Sequence, residues 1–154
     1  MRRENGFSYV IVMFLVAALS IAAVRALENA LSIERRDKER EALWRGLAYR
    51  EAIRLFYEGS PGTAKRYPQE LDELLYDARP VRPVRPLRKL YKDPLSGDDW
   101  GVVRNADGAI IGVHPASNGV PFKRAGFPEA LKEFAAAKRY SDWKFVYQPK
   151  QGST

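Results

Sequence analysis

Cysteine is absent from this chain of 154 residues, and histidine occurs only once, at His114. The lack of cysteine excludes disulfides and thiolate chemistry. It does not decide the compartment, since an exported domain can fold without disulfides. A triad of His114 with Ser117 and Asp107 lacks any nucleophile-elbow pattern, and no Gly-rich phosphate loop or metal-binding His cluster is present. We therefore predict no catalytic residue, no metal site and no enzymatic activity.

Charge is absent from one long stretch. The 18 residues from Phe7 to Val24 carry no charged side chain, whereas charged residues are frequent from Arg25 to the end. As a helix this stretch measures about 27 Å, enough to cross a thin or locally adapted bilayer. Arg2 and Arg3 precede it, and by the positive-inside rule they keep the N-terminus in the cytoplasm. We predict a membrane-anchored chain whose C-terminal domain lies outside the cytoplasm.

Proline is absent before residue 61, and Gly46 is the single glycine between residues 25 and 58. The pattern predicts one unbroken helix over 7–58, with a transmembrane segment at 7–24 and an exposed continuation at 25–58. Residues 35–41 are all charged, so we expect this part to stand in solvent. Beyond this charged block, we expect two apolar stripes of the helix to pack against the C-terminal sheet. The first is Trp44, Leu47, Ala48 and Leu55, and the second is Tyr49, Ile53 and Phe56.

The remaining residues, 59–154, predict a small α+β domain. Short helices are expected at 68–75 and 128–137, and strands at 100–104, 109–113 and 143–147. Residues 105–108 end in glycine and predict a hairpin turn between the first two strands. We expect an antiparallel sheet of about three strands packed on the exposed half of the long helix.

Acidic residues are absent from residues 79–92, a stretch that holds six basic ones. Its repeating prolines predict an extended or polyproline II segment. The candidate contacts for a polyanion are Arg79, Arg82, Arg85, Arg88, Lys89 and Lys92. Binding to the phosphates of a DNA backbone requires only Lys and Arg side chains within reach. We favour instead a solvated loop, or one that meets an acidic neighbouring subunit or lipid headgroups.

Oxygen-bearing side chains are concentrated just after this basic stretch, at Asp93, Ser96, Asp98, Asp99, Asn105 and Asp107. Calcium takes several oxygen ligands, but the spacing here matches no EF-hand loop. Turn formation explains Asp93-Pro94 and Asp107-Gly108. We expect no cofactor and keep calcium as the minor alternative.

The junction between the basic start and the apolar run is Gly6-Phe7-Ser8-Tyr9-Val10-Ile11. This junction resembles the type IV prepilin pattern, in which a short basic leader ends in Gly and the mature chain begins with Phe. The resemblance implies a leader at 1–6, cleavage between Gly6 and Phe7 by the prepilin peptidase, and N-methylation of Phe7. Two other interpretations stay open: a plain signal anchor, and a secretory signal cleaved near Arg25.

The order of elements is similar to that of type II secretion pseudopilins, in particular the major-pseudopilin-like branch. The resemblance implies a pilin-like fold, single-pass insertion in a bacterial inner membrane with a periplasmic domain, and assembly into a short filament. Its partners would be other pseudopilin subunits, the prepilin peptidase, the inner-membrane secretion platform and the bilayer. Helix assembly would use Phe7, Tyr9, Ile11, Phe14 and Leu15.

Position 11 departs from the family, which usually has Glu at the fifth mature residue. Ile11 removes a buried carboxylate that would need a cationic partner, and this indicates a minor, tip-like subunit. The alternative functions are a pilin-like DNA-uptake component and a non-pilin membrane-anchored exported domain.

Overall fold

The computed structural model describes residues 5–149, with side chains from residue 9 onward. Met1–Glu4 of the expected leader lie outside the described residues, as does the side chain of Phe7. The chain divides into two compact units, residues 1–37 and 38–154. Over the described residues the layout is α+β, as the sequence predicts: one long helix, three short strands and three 3₁₀ helices.

The helix α1 runs without a break from Asn5 to Glu58, over 54 residues. It ends where Gly59, Ser60 and Pro61 follow, and the Gly59 N–H still donates to the Leu55 carbonyl at 2.9 Å. Proline cannot continue the hydrogen-bond ladder, so the chain turns away here. The unbroken helix that the sequence predicts is confirmed.

Three strands form one antiparallel sheet in the order β1-β2-β3, with β1 at Gly101–Arg104, β2 at Ile110–His114 and β3 at Phe145–Val146. The hairpin turn between β1 and β2 is confirmed, with Gly108 at φ +79°. The Asn105 side chain stabilises this turn by accepting the N–H groups of Asp107 and Ala109. The third strand is shorter than predicted, because the Trp143 and Lys144 N–H groups bond back to Tyr140 and Asp142.

The short helices are 3₁₀ helices and are shorter than predicted. The two predicted ones span Leu71–Leu74 and Glu129–Ala136, and a third, not predicted from the sequence, spans Tyr140–Asp142. The second is kinked at Leu131, whose φ is −128°. The prediction that Pro68 lies in the first turn of a helix is wrong, since its carbonyl instead accepts the N–H of Ile110 at 2.8 Å.

The core lies within residues 38–154, between the second half of α1, the sheet and the 3₁₀ helices. The stripe of Tyr49, Ile53 and Phe56 is fully buried there, as predicted. The other predicted stripe is wrong, since Trp44 is 57 % exposed and Leu55 42 %. Small residues complete the buried face of α1 instead. Besides that stripe and Glu39, its buried positions in this region are Ala42, Gly46 and Ala52.

Candidate functional site

The apolar segment of α1 is exposed on every side. From Tyr9 to Val24 every side chain is exposed, and the most apolar 18-residue window has a mean hydropathy of 2.5 with none of it buried. The helix satisfies its own backbone, and the Ser20 hydroxyl donates to the Val16 carbonyl at 2.8 Å. A helix of this kind can serve as a single membrane anchor, because lipid offers backbone groups no other partner.

The residues predicted for helix assembly lie on two sides of this segment. At 3.6 residues per turn, positions 7, 11, 14 and 15 share one face and position 9 lies on the opposite one. Ile11 is 43 % exposed and Phe14 74 % exposed. The described neighbours of Ile11 on this face, Phe14, Leu15 and Ala18, are apolar, so none of them presents a carboxylate to a neighbouring helix.

A buried carboxylate, missed by the sequence reasoning, lies inside the charged block of α1. The prediction that 35–41 stands in solvent is wrong at Glu39, which is only 2 % exposed. It accepts hydrogen bonds from the N–H groups of Phe122 and Lys123 at 2.5 and 3.1 Å, and from the Tyr140 hydroxyl at 2.8 Å. The sequence did carry a signal: steps of three or four residues back from the predicted stripe of Tyr49, Ile53 and Phe56 give positions 46, 42 and 39, all of which are buried.

Arg79, the first of the six predicted polyanion contacts, is held inside the domain. Its guanidinium pairs with Asp77 at 2.6 Å, donates to the Phe56 carbonyl at 2.8 Å and lies 3.5 Å from the Phe56 ring centroid. The hydrogen bonds from Arg79 also hold the pKa of the Asp77 carboxyl below its usual value, against the effect of burial. Arg79 therefore fastens the loop to the end of α1, with most of its hydrogen-bonding capacity occupied.

The predicted extended form of the basic stretch is wrong at its start. The chain bends over 79–82, and the backbone groups of Asp77 and Val84 exchange two hydrogen bonds, at 2.9 and 3.0 Å. Leu87 is buried, and the Tyr49 hydroxyl both accepts from the Tyr91 N–H and donates to its carbonyl. Proline fixes φ but leaves ψ free, so the repeating prolines still allow the chain to bend until Val84 pairs with Asp77. We refer to residues 79–92 as the cationic loop.

Four cations of the cationic loop point into solvent: Arg82, Arg85, Arg88 and Lys89 are all exposed. Lys92 is also exposed, but its ammonium pairs with Asp99 at 2.8 Å. Lys89 lies 5.5 Å from the centroid of the Tyr91 ring, within cation–π range. The loop thus presents a fixed positive surface made of fewer cations than the sequence suggests.

The oxygen-rich stretch is not gathered into one site. Asp93 is fully buried, and it accepts hydrogen bonds from Leu95 N–H, the Ser96 hydroxyl and Ala116 N–H at 2.9–3.0 Å. Its oxygens therefore hold two loops together. Across the part of the chain that the structure describes, no three His, Cys, Asp or Glu residues are grouped as metal ligands. His114 is half-buried at the end of β2, with Nδ1 2.9 Å from the Pro115 carbonyl.

Comparison with known proteins finds no matching family model, no matching curated protein and no matching solved structure.

Proposed function

We propose that the protein is a pseudopilin-like subunit, processed at Gly6 and assembled through its apolar helix into a short filament of a type II secretion or type IV pilus-like machine. It performs no chemistry in this role. Its function is packing: the apolar segment contacts lipid or neighbouring helices, and the domain of residues 38–154 contacts other subunits or cargo.

The observation that carries the proposal is the double use of one helix. The segment from Tyr9 to Val24 is exposed and free of charge, whereas Tyr49, Ile53 and Phe56 of the same helix are the centre of an α+β core. A secretory signal that is removed would not need to continue into the core of the exported domain. The junction at Gly6 and Phe7 adds the specific sequence support.

If the mature chain begins at Phe7, its fifth residue is Ile11, and a subunit with isoleucine there needs no charge pair at that position. An unpaired carboxylate in an apolar membrane helix costs at most about 2.5–3.5 kcal/mol, the value at the helix centre, and less toward the helix end where position 11 lies. A subunit at a filament tip has no partner amine above it, so an aliphatic residue suits that position. We therefore propose a minor, tip-like role.

Processing is the direct test. The protein is isolated from membranes of cells with and without the prepilin peptidase, and its intact mass and N-terminus are determined. The expected product is a chain that starts at methylated Phe7, formed only when the peptidase is present. A Gly6→Leu variant should remain uncut, and Asn5→Ala, which keeps the glycine, serves as the matched control. A chain that starts at Met1 in both cells would overturn the proposal.

A second candidate function, DNA uptake, has one specific observation in its favour. Arg82, Arg85, Arg88 and Lys89 are exposed on a fixed loop with no acidic residue beside them in sequence. Each phosphate contact adds roughly 0.9 to the slope of log affinity against log salt for duplex DNA. Binding with a slope of about −3 to −4 that vanishes when these four become Gln would support this function, and flat or absent binding would exclude it.

A further inference from the structure

The outer edge of β3 is open within the part of the chain that the structure describes. The pairs Gly112 with Val146 and Val113 with Phe145 set the register, and the Tyr147 N–H donates to the Ile111 carbonyl at 2.9 Å. Hydrogen-bonded and non-hydrogen-bonded pairs alternate in antiparallel sheets. Val146 therefore belongs to a non-hydrogen-bonded pair, and its N–H and C=O point away from β2.

A cleft of about 450 Å³ runs along this edge. Lys144, Phe145, Val146 and Gln148 form its strand side, and the 3₁₀ helix Glu129–Ala136 forms the opposite wall. A second cleft, of about 500 Å³, shares Arg50 and Gln148 with it and continues past Tyr147. An extended chain laid along β3 would thus find both backbone partners and space for its side chains.

Two cationic side chains in the first cleft make no hydrogen bond or ion pair to any residue between 5 and 149. They are Arg50, on α1, and Lys144, which precedes β3. Other charges of the clefts are paired: Arg54 bonds to Glu51 and Glu58, and Lys132 to Glu129. Glu133 is the acid of the first cleft that makes no such pair in the described chain, so the unpaired charge there is net positive.

We propose that the β3 edge is a docking site for an extended, carboxylate-bearing segment of a partner protein. The segment adds as a strand whose backbone bonds to the N–H and C=O of Val146, and a Glu or Asp side chain of the segment bonds to Arg50 and Lys144. Addition of a strand to an exposed sheet edge takes its affinity from backbone bonds and its specificity from side-chain contacts. Charge complementarity selects an acidic segment over a basic one.

The test titrates the full chain, held in detergent micelles, with the capped peptide acetyl-Thr-Val-Glu-Val-Thr-amide and with the same peptide carrying Gln in place of Glu. NMR follows amide shifts and hydrogen exchange. The Val146 amide is expected to exchange at least about tenfold more slowly at saturation, and the Glu peptide to bind about tenfold more tightly than the Gln peptide. No binding at millimolar peptide, or shifts confined to the cationic loop, would overturn the proposal.

Variants separate the two kinds of contact. Val146→Pro removes the outward N–H and leaves the bonds of Phe145 and Tyr147 to β2, and proline is tolerated on edge strands in that position. Both peptides should lose at least tenfold in affinity, while the near-ultraviolet circular dichroism stays unchanged.

The double variant Arg50→Gln, Lys144→Gln needs no backbone change, so it keeps the proposal testable if the proline variant fails to fold. It should equalise the affinities of the two peptides, whereas the matched control Lys132→Gln should keep the preference for Glu. A preference for Glu that survives in the double variant would refute the assignment of Arg50 and Lys144.

Discussion

Replacement of Glu39 by alanine is expected to loosen the segment around Phe122 from α1. The carboxylate is 2 % exposed, and three donors converge on it: two backbone N–H groups and the Tyr140 hydroxyl. Bonds to an ionised acceptor are stronger than neutral ones. Removing the carboxylate leaves these three groups without that acceptor.

The magnitude follows from the exposure of each donor. The N–H groups of Phe122 and Lys123 belong to an exposed and a half-buried residue, so water can partly replace the carboxylate at about 0.5–1.5 kcal/mol each. The Tyr140 hydroxyl is on a residue only 4 % exposed, so the loss of its carboxylate acceptor lowers the free energy of unfolding by about 1–3 kcal/mol. The sum is about 2–6 kcal/mol, which lowers the Tm by roughly 10 °C or more for a domain of this size.

Thermal unfolding of the full chain in micelles, followed by near-ultraviolet circular dichroism, measures this loss. Glu41→Ala is the matched control, because Glu41 is exposed and an i,i+4 pair such as the one it makes with Arg45 contributes at most about 0.5 kcal/mol. Tyr140→Phe alone should cost about 1 kcal/mol and add less than that to Glu39→Ala. If Glu39→Ala and Glu41→Ala unfold at the same temperature, the buried carboxylate does not stabilise this fold.

Three further predictions concern the same domain. Asp93→Ala should cost about 3–5 kcal/mol, because two loops lose their shared acceptor, whereas exposed Asp98→Ala should cost little in the same urea titration. The pKa of Asp77 is lower in the folded protein than in the unfolded chain, so its carboxylate adds to the free energy of unfolding above the unfolded pKa of about 3.9. This added stability is lost as pH falls through the folded pKa. An Asp77→Asn variant should therefore lose less stability than the wild type when the pH is lowered below about 4, measured by urea titration at each pH. Gly46→Ala should destabilise by about 1–3 kcal/mol despite the better helix propensity of alanine, because a Cβ there meets the Phe145 ring, and Phe145→Leu should relieve part of that cost in the double variant.

Local chemistry predicts a large part of this fold. The lack of proline before residue 61 and the charge-free run give the long helix, and Gly108 with its polar neighbours gives the hairpin turn. These features depend on residues close together in sequence. The short helices could not be placed as well, because whether a turn becomes α or 3₁₀ depends on packing and on competing bonds such as Pro68 to Ile110.

The errors at Glu39 and Trp44 have one physical origin. Side-chain polarity predicts which face of a helix is buried only if burial is decided by hydrophobicity alone. In this domain the Phe145 ring lies against Gly46, so the face of α1 that carries small residues is the buried one. Glu39 is buried on the same face because backbone N–H groups there donate hydrogen bonds to its carboxylate. Trp44 is displaced to the edge of that face, where it makes a T-shaped contact with Tyr91 at 5.6 Å between ring centroids.

The two parts of α1 differ in how they are buried, and the difference bears on the proposed role. Between residues 39 and 56 burial recurs every three or four residues, so this part has one inner face. Between Tyr9 and Val24 no face is polar, so the segment tolerates apolar surroundings from any direction. A plain anchor needs only lipid around it, whereas a filament subunit must leave lipid and pack against other helices. The segment has bulky side chains on both sides, Tyr9 opposite Phe14, and carries no charged group. It can therefore exchange one apolar environment for the other without moving a charge, and this is why we favour a filament subunit over a fixed anchor.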